Sequence, residues 1–394
     1  MAQTYAGSWA LRSIIEDAQI LQATMAQNFL LRRNQVRLMG AIQETSENCL
    51  PRSVLDGIEN RRNSAQQVQI NLFDKKAQGT KTSRQRSGSG QSGVLTLTPS
   101  FFDLVLEEFD MSHVNESLAQ FMGEKTSTPE ERDLKIREKY VQEFSNETME
   151  CYRNMYQRVE EQIAAFFEAN KWALNTTADQ GTLYTSYVAD AKQIPAADAQ
   201  LGASAWLQKV QTEATQNNFN QFGLPTLYHS TITEVLVKDY LAQGADNSFN
   251  FVQFINDFGY VGSNKFTDNV PTVKGTFYVT AFGALALYNY VYSFAGNPAA
   301  DANGDVTRGE DTWVKPYAIG AGTTIMPDMP RMNIEMKVQH GYQDTSATYT
   351  NNDEAKIDIV QGVNLATTFG MVKAPASSGN PNESPIIKYE VLSS

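Results

Sequence analysis

The strongest pattern in the chain is a run of apolar residues at helical spacing that begins with a helix-start signal. Thr128 stands at an N-cap position, Pro129 follows at the first helical position, and Glu131 lies three residues after the cap. These side chains satisfy free backbone donors at a helix start. No glycine or further proline interrupts residues 129–174, so we expect one helix about 69 Å long. The apolar stripe that we assign to its core face is Leu134, Val141, Phe144, Tyr152, Met155, Val159, Ile163 and Phe166.

Two β-prone segments stand on either side of a long connection. Residues 67–73 alternate strictly between polar and apolar side chains, and residues 94–98 are the second segment. The connection over residues 74–93 is about 20 residues long, whereas ordinary hairpin loops have two to five. We therefore predict a long two-stranded flap, which is marginal alone and needs a partner surface.

The remaining pattern mixes helical and extended segments. Helical spacing predicts helices over residues 8–39, 101–122, 203–219 and 283–294. The first of these is either an N-terminal arm or the first core helix of a globular domain. Alternation predicts strands over residues 248–256 and 334–339, and further strand candidates are residues 277–281, 356–360, 364–372 and 386–392. This order predicts an α+β fold whose C-terminal third is mainly β.

Composition adds few constraints, but the charge distribution adds one. The chain has 394 residues, 41% of them hydrophobic, which excludes wholesale disorder and allows two to three domains or one elaborate domain. Its two cysteines, Cys49 and Cys151, cannot make a disulfide scaffold or a four-cysteine zinc site. No apolar stretch reaches the roughly 20 residues of a membrane span. Of the net charge of -12, residues 1–90 carry +5 and the rest carry -17.

The basic excess is concentrated in the flap. Five of its cations lie in the connection between the two strands: Lys75, Lys76, Lys81, Arg84 and Arg86. A basic tip on an acidic body either contacts nucleic acid or docks onto an acidic surface of another copy. We favour docking, because the tip has Phe73 as its one nearby aromatic residue and a loose Ser-Gly-Ser-Gly run, unlike the aromatic-lined basic faces that bind phosphate.

Signatures of catalysis, metal binding and cofactor binding are weak. The three histidines, His113, His229 and His340, have no second ligand at metal-binding spacing. No G-x-S-x-G motif occurs, and the glycines near residue 90 precede a predicted strand rather than a helix, as phosphate binding would require. We expect no metal, no cofactor and no enzymatic activity.

One stretch partly matches a calcium loop. Asp301, Asn303 and Asp305 have the spacing that opens such a loop. However, Val306 replaces the glycine at position six, and Thr312 replaces the glutamate at position twelve. The sequence therefore disfavours a bound cation over residues 301–312.

The order of these segments resembles the major capsid proteins of tailed double-stranded DNA phages, the Hong Kong 97 fold. The resemblance extends to residues 249–260 and to the stretch Lys274-Gly-Thr-Phe-Tyr-Val279. It implies five regions: an N-terminal arm over 1–66, an extension-loop hairpin over 67–98, a peripheral domain over 99–202 holding the long helix, an axial domain over 203–312, and returning peripheral strands over 313–394.

The resemblance also implies a function. Subunits of this family assemble as hexamers and pentamers into an icosahedral shell around packaged DNA, without sequence-specific binding. It implies a virion protein made in the host cytoplasm, with a separate scaffolding protein, a portal and decoration proteins as partners, and no membrane. We expect the basic flap tip to dock on an acidic face of a neighbouring subunit, whose candidate residues are Glu130, Glu131, Glu160 and Glu161.

Two alternatives remain open from the residues. A different virion or tail structural protein would share this composition and would form tubes or fibres. A carboxylate-dependent hydrolase is the alternative from another class, although nothing in the spacing selects two catalytic residues. Its candidate acids are Asp239, Asp257, Glu335 and Asp344.

Overall fold

A computed structural model describes a little over half of the chain. It covers residues 17–18, 20–22, 36–50, 52, 55, 70–73, 94–97, 100–101, 105–110, 129–172, 187–188, 191–197, 203–217, 219–220, 223–230, 258–266, 273–290, 306–307, 312–344, 356–374 and 384–392.

Three helices are bounded in these ranges. They are α1 (Arg37–Cys49), α2 (Pro129–Asn170) and α3 (Ala203–Gln216). The long helix α2 is confirmed, with 42 residues and a length of about 63 Å. It ends four residues before the predicted position because the second sheet supplies the next hydrogen bonds: the Trp172 amide donates to the Ile386 carbonyl, at 2.7 Å.

The helix α1 corrects the prediction of one helix over residues 8–39. Residues 17–18 and 20–22 are helical, but Val36 has φ -124° and ψ 60° and stands outside any helix. A new helix therefore begins at Arg37. Its buried residues, Leu38, Met39, Ile42 and Ser46, lie on one face at helical spacing.

The larger sheet is built around one long strand. Its strands are β3 (Ser100–Phe101), β4 (Val105–Asp110), β10 (Leu285–Tyr290), β11 (Val306–Thr307), β12 (Thr312–Ile319), β13 (Met332–Asp344) and β14 (Lys356–Lys373). The order is β10-β14-β13-β12-β11, with β3 and β4 also paired to β14, and every pairing is antiparallel. The predicted strands over 356–360 and 364–372 are therefore one strand of 18 residues.

The second sheet combines strands from distant parts of the chain. Its strands are β5 (Tyr187–Val188), β6 (Ala191–Ile194), β7 (Thr226–His229), β8 (Gly259–Gly262), β9 (Val273–Thr280) and β15 (Ile386–Leu392). The order is β5-β6-β15-β9-β7-β8, and the β15–β6 and β7–β8 pairs are parallel. The predicted strands over 277–281 and 386–392 are confirmed. The segment 248–256 lies outside the described residues.

Two predicted helices are wrong over the residues that the structure describes. The segment 101–122 contains β4, which pairs with residues 362–367 of β14, and its part beyond residue 110 is not described. The segment 283–294 contains β10, which pairs with residues 368–373 of the same strand. In both cases the long strand β14 offers a row of backbone partners, and tertiary pairing overrides the helical tendency of the local sequence.

The predicted hairpin is confirmed at its base. Strands β1 (Ile70–Phe73) and β2 (Val94–Leu97) pair antiparallel, with Ile70 opposite Leu97 and Phe73 opposite Val94. Within the described part of the chain they form a two-stranded sheet of their own. The connection between them, with its five basic residues, lies outside the described residues.

The core has two clusters. The first joins α1 and α2 to the inner face of the larger sheet and to part of the second sheet. The second joins α3 to the second sheet, with Trp206 against Phe277 and Phe277 stacked on Tyr389. Strands on either side of residue 312 pair in both sheets. The predicted domain boundaries stay predictions.

Gly320 provides a test of this packing, with Gly322 as its matched control. Both have positive φ, +91° and +80°. A Cβ on Gly320 would lie 2.2 Å from the Pro330 carbonyl oxygen, whereas a Cβ on Gly322 would meet nothing within 4 Å. We expect Gly322→Ala to lower the unfolding free energy by about 1–2 kcal/mol through backbone strain alone. Gly320→Ala should cost clearly more, measured by thermal unfolding; equal losses would contradict this packing.

Candidate functional site: the long helix and its junctions

The residues on which a function could rest in this structure are the contacts of α2 with the elements around it. Near its middle, α2 lies against β4, where Arg158 pairs with Glu107 at 2.9 Å. Farther along, it contacts α1 and then reaches β15 of the second sheet. Because one helix meets both sheets, its side chains decide how these sheets are held together.

Glu160 of α2 caps the start of α1. Its two carboxylate oxygens accept hydrogen bonds from the amides of Met39, at 2.7 Å, and Leu38, at 3.3 Å. Val36, at the N-cap position of α1, provides no side-chain hydrogen bond. Glu160 is fully buried, and this burial raises its pKa to about 7, although the two amides and Lys265 act in the opposite direction.

Glu168, two turns farther along α2, joins the helix to the second sheet. It accepts a hydrogen bond from Tyr278 Oη at 2.5 Å and lies 3.3 Å from Lys388 Nζ. It also pairs with Lys171, just past the helix end. Partial burial opposes ionisation, but Lys171, Tyr278 and Lys388 together lower the pKa of this carboxyl. Glu168 is thus a charged hub between α2 and the strands β9 and β15.

The end of α2 is closed by the segment leading into β15. Ser384 Oγ donates to the carbonyl of Asn170, the last helical residue, at 2.5 Å. Nearby, the Phe167 ring packs on Tyr228, Phe266 and Tyr278, with centroid distances of 4.8 to 5.7 Å. Free carbonyls at a helix end need partners, and here another element supplies one.

Two tyrosines attach α2 to strand β12 and to the loop between β12 and β13. Tyr152 and Tyr317 share a hydrogen bond of 2.5 Å between their hydroxyls, and Tyr156 Oη donates to the Pro330 carbonyl at 2.7 Å. Burial raises the pKa of both α2 tyrosines well above the usual value. They therefore remain neutral hydrogen-bonding groups, Tyr152 to strand β12 and Tyr156 to the loop over residues 320–331.

A second buried network connects α3 to the second sheet. Lys192 Nζ contacts Glu213 Oε1, and Tyr389 Oη donates to Glu213 Oε2 at 2.7 Å. Lys192 and Glu213 are 2% and 1% exposed. A buried charge needs a partner because its removal from water is costly, so this pair specifies where α3 sits on β6 and β15.

A third network of buried hydrogen bonds lies where β14 stops pairing with β13 and begins pairing with β10. Asn289 Nδ2 donates to Thr367 Oγ1 at 2.7 Å, and Asn289 Oδ1 accepts the Asn333 amide at 2.5 Å. Thr367 Oγ1 in turn donates to the Asn333 carbonyl at 2.6 Å. These bonds join three strands at one buried point.

The structure describes only some of the predicted site residues. Lys75, Lys76, Lys81, Arg84 and Arg86 lie outside the described residues. Glu130 and Glu131 lie in the first turn of α2, but their side chains are not described.

The prediction of an exposed acidic face is wrong for Glu160, because its carboxylate is buried under α1. Glu161 is exposed and pairs with Lys265 at 2.7 Å. Helical spacing already separates the two: Glu160 lies four residues after Tyr156 and three before Ile163, at the edge of the apolar stripe, whereas Glu161 lies on the opposite side of the helix. The packing of α1 then covers Glu160.

Two further acids of α2 pair with basic residues of the same helix. Glu143 pairs with Lys139 at 2.5 Å, and Glu150 pairs with Arg153 at 2.7 Å. Such half-exposed pairs contribute little to stability, but they reduce the charge that α2 presents to a partner.

The surroundings of both cysteines indicate a structural role rather than a reactive one. Both are free thiols, and burial raises the pKa of Cys49 and of Cys151 to about 12. For Cys151, Glu107, Glu147 and Glu150 add to the effect. A thiol that stays protonated is a poor nucleophile and metal ligand.

Among the described residues, no group of three or more potential ligands gathers around a metal position. His229 is buried, with Nδ1 2.8 Å from the Ser230 carbonyl and its ring stacked on Tyr260. Of the predicted acids, Glu335 is buried and Asp344 ends β13. Outside the described residues lie Asp239, Asp257, His113 and the three residues of the calcium-like stretch, Asp301, Asn303 and Asp305.

None of the helices that the structure describes has the length and apolar character of a membrane span.

A groove of about 620 Å³ opens beside the start of α1. The groove lies between α1, β8 and the loop over residues 320–331. Its lining includes both basic and acidic side chains: Arg37, Arg331, Glu44 and Asp328. Tyr260, 37% exposed, forms part of its wall.

Comparison with known proteins finds similarity in structure alone. No protein-family model matches the chain, and no curated protein matches it. The chain is similar to phage structures. A structure from Mycobacterium phage Bobi has 9% identity and a TM-score of 0.34, covering 86% of this chain and 90% of that one. The mature capsid of bacteriophage PhiM1 has 11% identity and a TM-score of 0.34, covering 85% and 83%. The capsid of Myoviridae phage XM1 has 8% identity and a TM-score of 0.33, covering 85% and 88%.

The Lys192–Glu213 pair can be tested with a double-mutant cycle. We expect Lys192→Met or Glu213→Gln alone to lower the unfolding free energy by about 3–5 kcal/mol, because each leaves one buried charge without its partner. The double variant should cost less than the sum, because it leaves neither charge buried without its partner. Chemical denaturation measures all four proteins.

The half-exposed pair Lys139–Glu143 on α2 is the matched control for this cycle. The same cycle there should give a coupling of about 0.3–0.5 kcal/mol. Equal couplings at the two sites would show that burial of Lys192 and Glu213 has no energetic consequence.

Proposed function

We propose that this chain is the major capsid protein of a tailed double-stranded DNA phage, with the Hong Kong 97 fold. In this proposal its subunits assemble as hexamers and pentamers into an icosahedral shell that encloses the packaged DNA. The observation that carries it is the β1–β2 hairpin, which, among the residues that the structure describes, forms a two-stranded sheet apart from the two larger sheets and the long helix.

An isolated two-stranded ribbon is a poor way to stabilise a subunit. Such a ribbon is marginal in water unless a third strand or a hydrophobic surface covers it. Its strand-forming residues extend to a connection of about 20 residues, far longer than a hairpin requires. A segment of this kind gains stability by lying on another subunit, and reciprocal overlap of this type links many copies into a closed assembly.

The body has the properties that a lattice subunit needs. Contacts from α2 to α1, to both sheets and to the loop over residues 320–331 join the described elements into one framework. A framework that resists bending transmits contact forces from one neighbour to the next. The predicted arm, peripheral and axial regions are part of this proposal, with boundaries at residues 66, 98, 202 and 312.

Charge supports the same arrangement. The first 90 residues carry +5 and the remaining residues carry -17. The basic flap is therefore attracted to the acidic body of a neighbouring copy. An acidic interior surface repels phosphate, so that DNA enters without sticking to the wall. Scaffolding, portal and decoration proteins are the further partners in this proposal, and the virion is its location.

The proposed acidic docking face contains fewer glutamates than the sequence analysis suggested. With Glu160 buried, we propose Glu130, Glu131 and Glu161 as acidic contacts for the flap tip. Glu161 is already paired with Lys265, so an incoming lysine or arginine would share or replace that partner. Exchange of one exposed ion pair for another costs little, which suits a contact that forms during assembly.

Charge reversal in the flap tests the proposal. We expect Lys75→Glu, Lys76→Glu and Lys81→Glu together to abolish or strongly reduce shell formation. The matched control changes the same three residues to arginine and should assemble normally, because charge is retained. Both proteins are expressed alone and with the neighbouring genes of the genome, then followed by light scattering and negative-stain microscopy.

The outcomes separate the competing functions. Closed shells or rings from the unaltered chain support the capsid role. Tubes or fibres would indicate another virion or tail protein, and a monomer under every condition would overturn the proposal. Normal assembly of the glutamate variant would reject the docking contact.

A further inference from the structure

Glu160 connects two elements through a contact that contains an ionisable group. Its carboxylate accepts the first-turn amides Leu38 and Met39 of α1, and it is the cap that this helix otherwise lacks. Leu38 and Met39 are themselves fully buried. The contact therefore closes only when α1 is seated on α2, and water is excluded when it does.

A serine, asparagine or aspartate within α1 would cap the helix without regard to α2. Here the cap comes from a residue more than 120 positions away. A remote cap makes the first turn of α1 dependent on docking. Release of α1 would expose the Glu160 carboxyl and two backbone amides at the same time.

The charged groups around Glu160 do not neutralise it fully. Lys265, from the turn after β8, is the nearest cation with an influence on it, but Lys265 Nζ is bonded to Glu161. On α1 the adjacent charged residue is Arg37, which lies with His229 of β7 beside Gly262. Tyr156, one turn earlier on α2, is buried and bonded to Pro330. Glu160 thus sits in the interior with amide dipoles as its direct partners.

We propose that Glu160 is a proton-sensitive latch that holds the first turn of α1 on α2, and holds it more tightly when the carboxyl is protonated. This inference does not depend on the proposed capsid role. The helix α1 lies in the sequence between the N-terminal residues and the hairpin. In this proposal, opening or closing of the latch therefore acts on both segments through the backbone.

The pH dependence of the contact follows from the difference between the pKa of Glu160 in the closed state and its pKa in the open state. In the closed state burial raises the pKa of Glu160 from 4.5 to about 7, whereas an open, hydrated glutamate titrates near its ordinary value. Between these values the closed state binds more protons than the open state. Closure is therefore most favourable below about pH 4.5 and weakens as the pH rises toward 7.

Hydrogen–deuterium exchange of the full chain tests the latch. The observable is protection of the peptide containing Leu38 and Met39, corrected for the intrinsic pH dependence of exchange. We expect protection to fall by up to about tenfold per pH unit between pH 5 and 7 and to level off above pH 8. Glu160→Gln, a neutral mimic of the protonated acid, should remove this dependence.

Glu143→Gln is the matched control, since it removes a partly exposed carboxylate of the same helix that is paired with Lys139 and should keep the unaltered pH profile. Lys265→Met should move the midpoint to higher pH, because Lys265 lowers the pKa of Glu160. This second variant also serves if Glu160→Gln fails to fold.

Four results would overturn the latch. Protection that does not vary with pH in the unaltered chain would do so, as would the same dependence in Glu160→Gln. The third is loss of the dependence in His229→Gln with Glu160 intact, which would assign the titration to the histidine. An unchanged midpoint in Lys265→Met would also count against Glu160.

Discussion

The structure depends on one helix that contacts both sheets through buried or partly buried polar groups. Glu160 and Glu168 lie eight residues apart on α2, and each connects the helix to a different part of the molecule: the start of α1 and the strands β9 and β15. Apolar burial supplies most of the stability of such a core, but it is not directional. The polar contacts add direction, because a hydrogen bond or ion pair is satisfied in few orientations. They determine where each element meets the helix.

The same division of roles appears in the sheets. Strand β14 has two long edges, and four neighbouring strands use them, with β13 and β10 in succession on one edge. The bonds of Asn289, Thr367 and Asn333 mark the point where β13 gives way to β10. A buried amide that lost these partners would pay the cost of desolvation. Buried polar side chains here specify register and pairing, while the apolar clusters on either side supply the driving force.

Several ionisable groups of this framework are held in pairs or caps, among them Glu160, Glu168 and Lys192. Burial keeps both cysteines in the protonated form. The hairpin is the exception, because it forms its own small sheet and carries the basic excess of the chain. An acidic chain with a basic segment between two paired strands can be attracted to copies of itself, and this charge division is part of the basis of the proposed shell role.

Local sequence determined the elements whose signals are local. The helix α2 follows from its capping residues and an uninterrupted apolar stripe, and the hairpin strands and β15 follow from alternation. Tertiary structure decided the rest. Residues of β4 and β10 became strands because β14 offered them backbone partners, and α1 began at Arg37 because Glu160 supplied its cap. Glu160 and Glu161 are adjacent and chemically identical, yet one is buried and one is exposed. A helical rotation of about 100° per residue separates them, so that Glu161 faces away from the apolar stripe of α2, while Glu160 lies at the edge of that stripe, where the packing of α1 covers it.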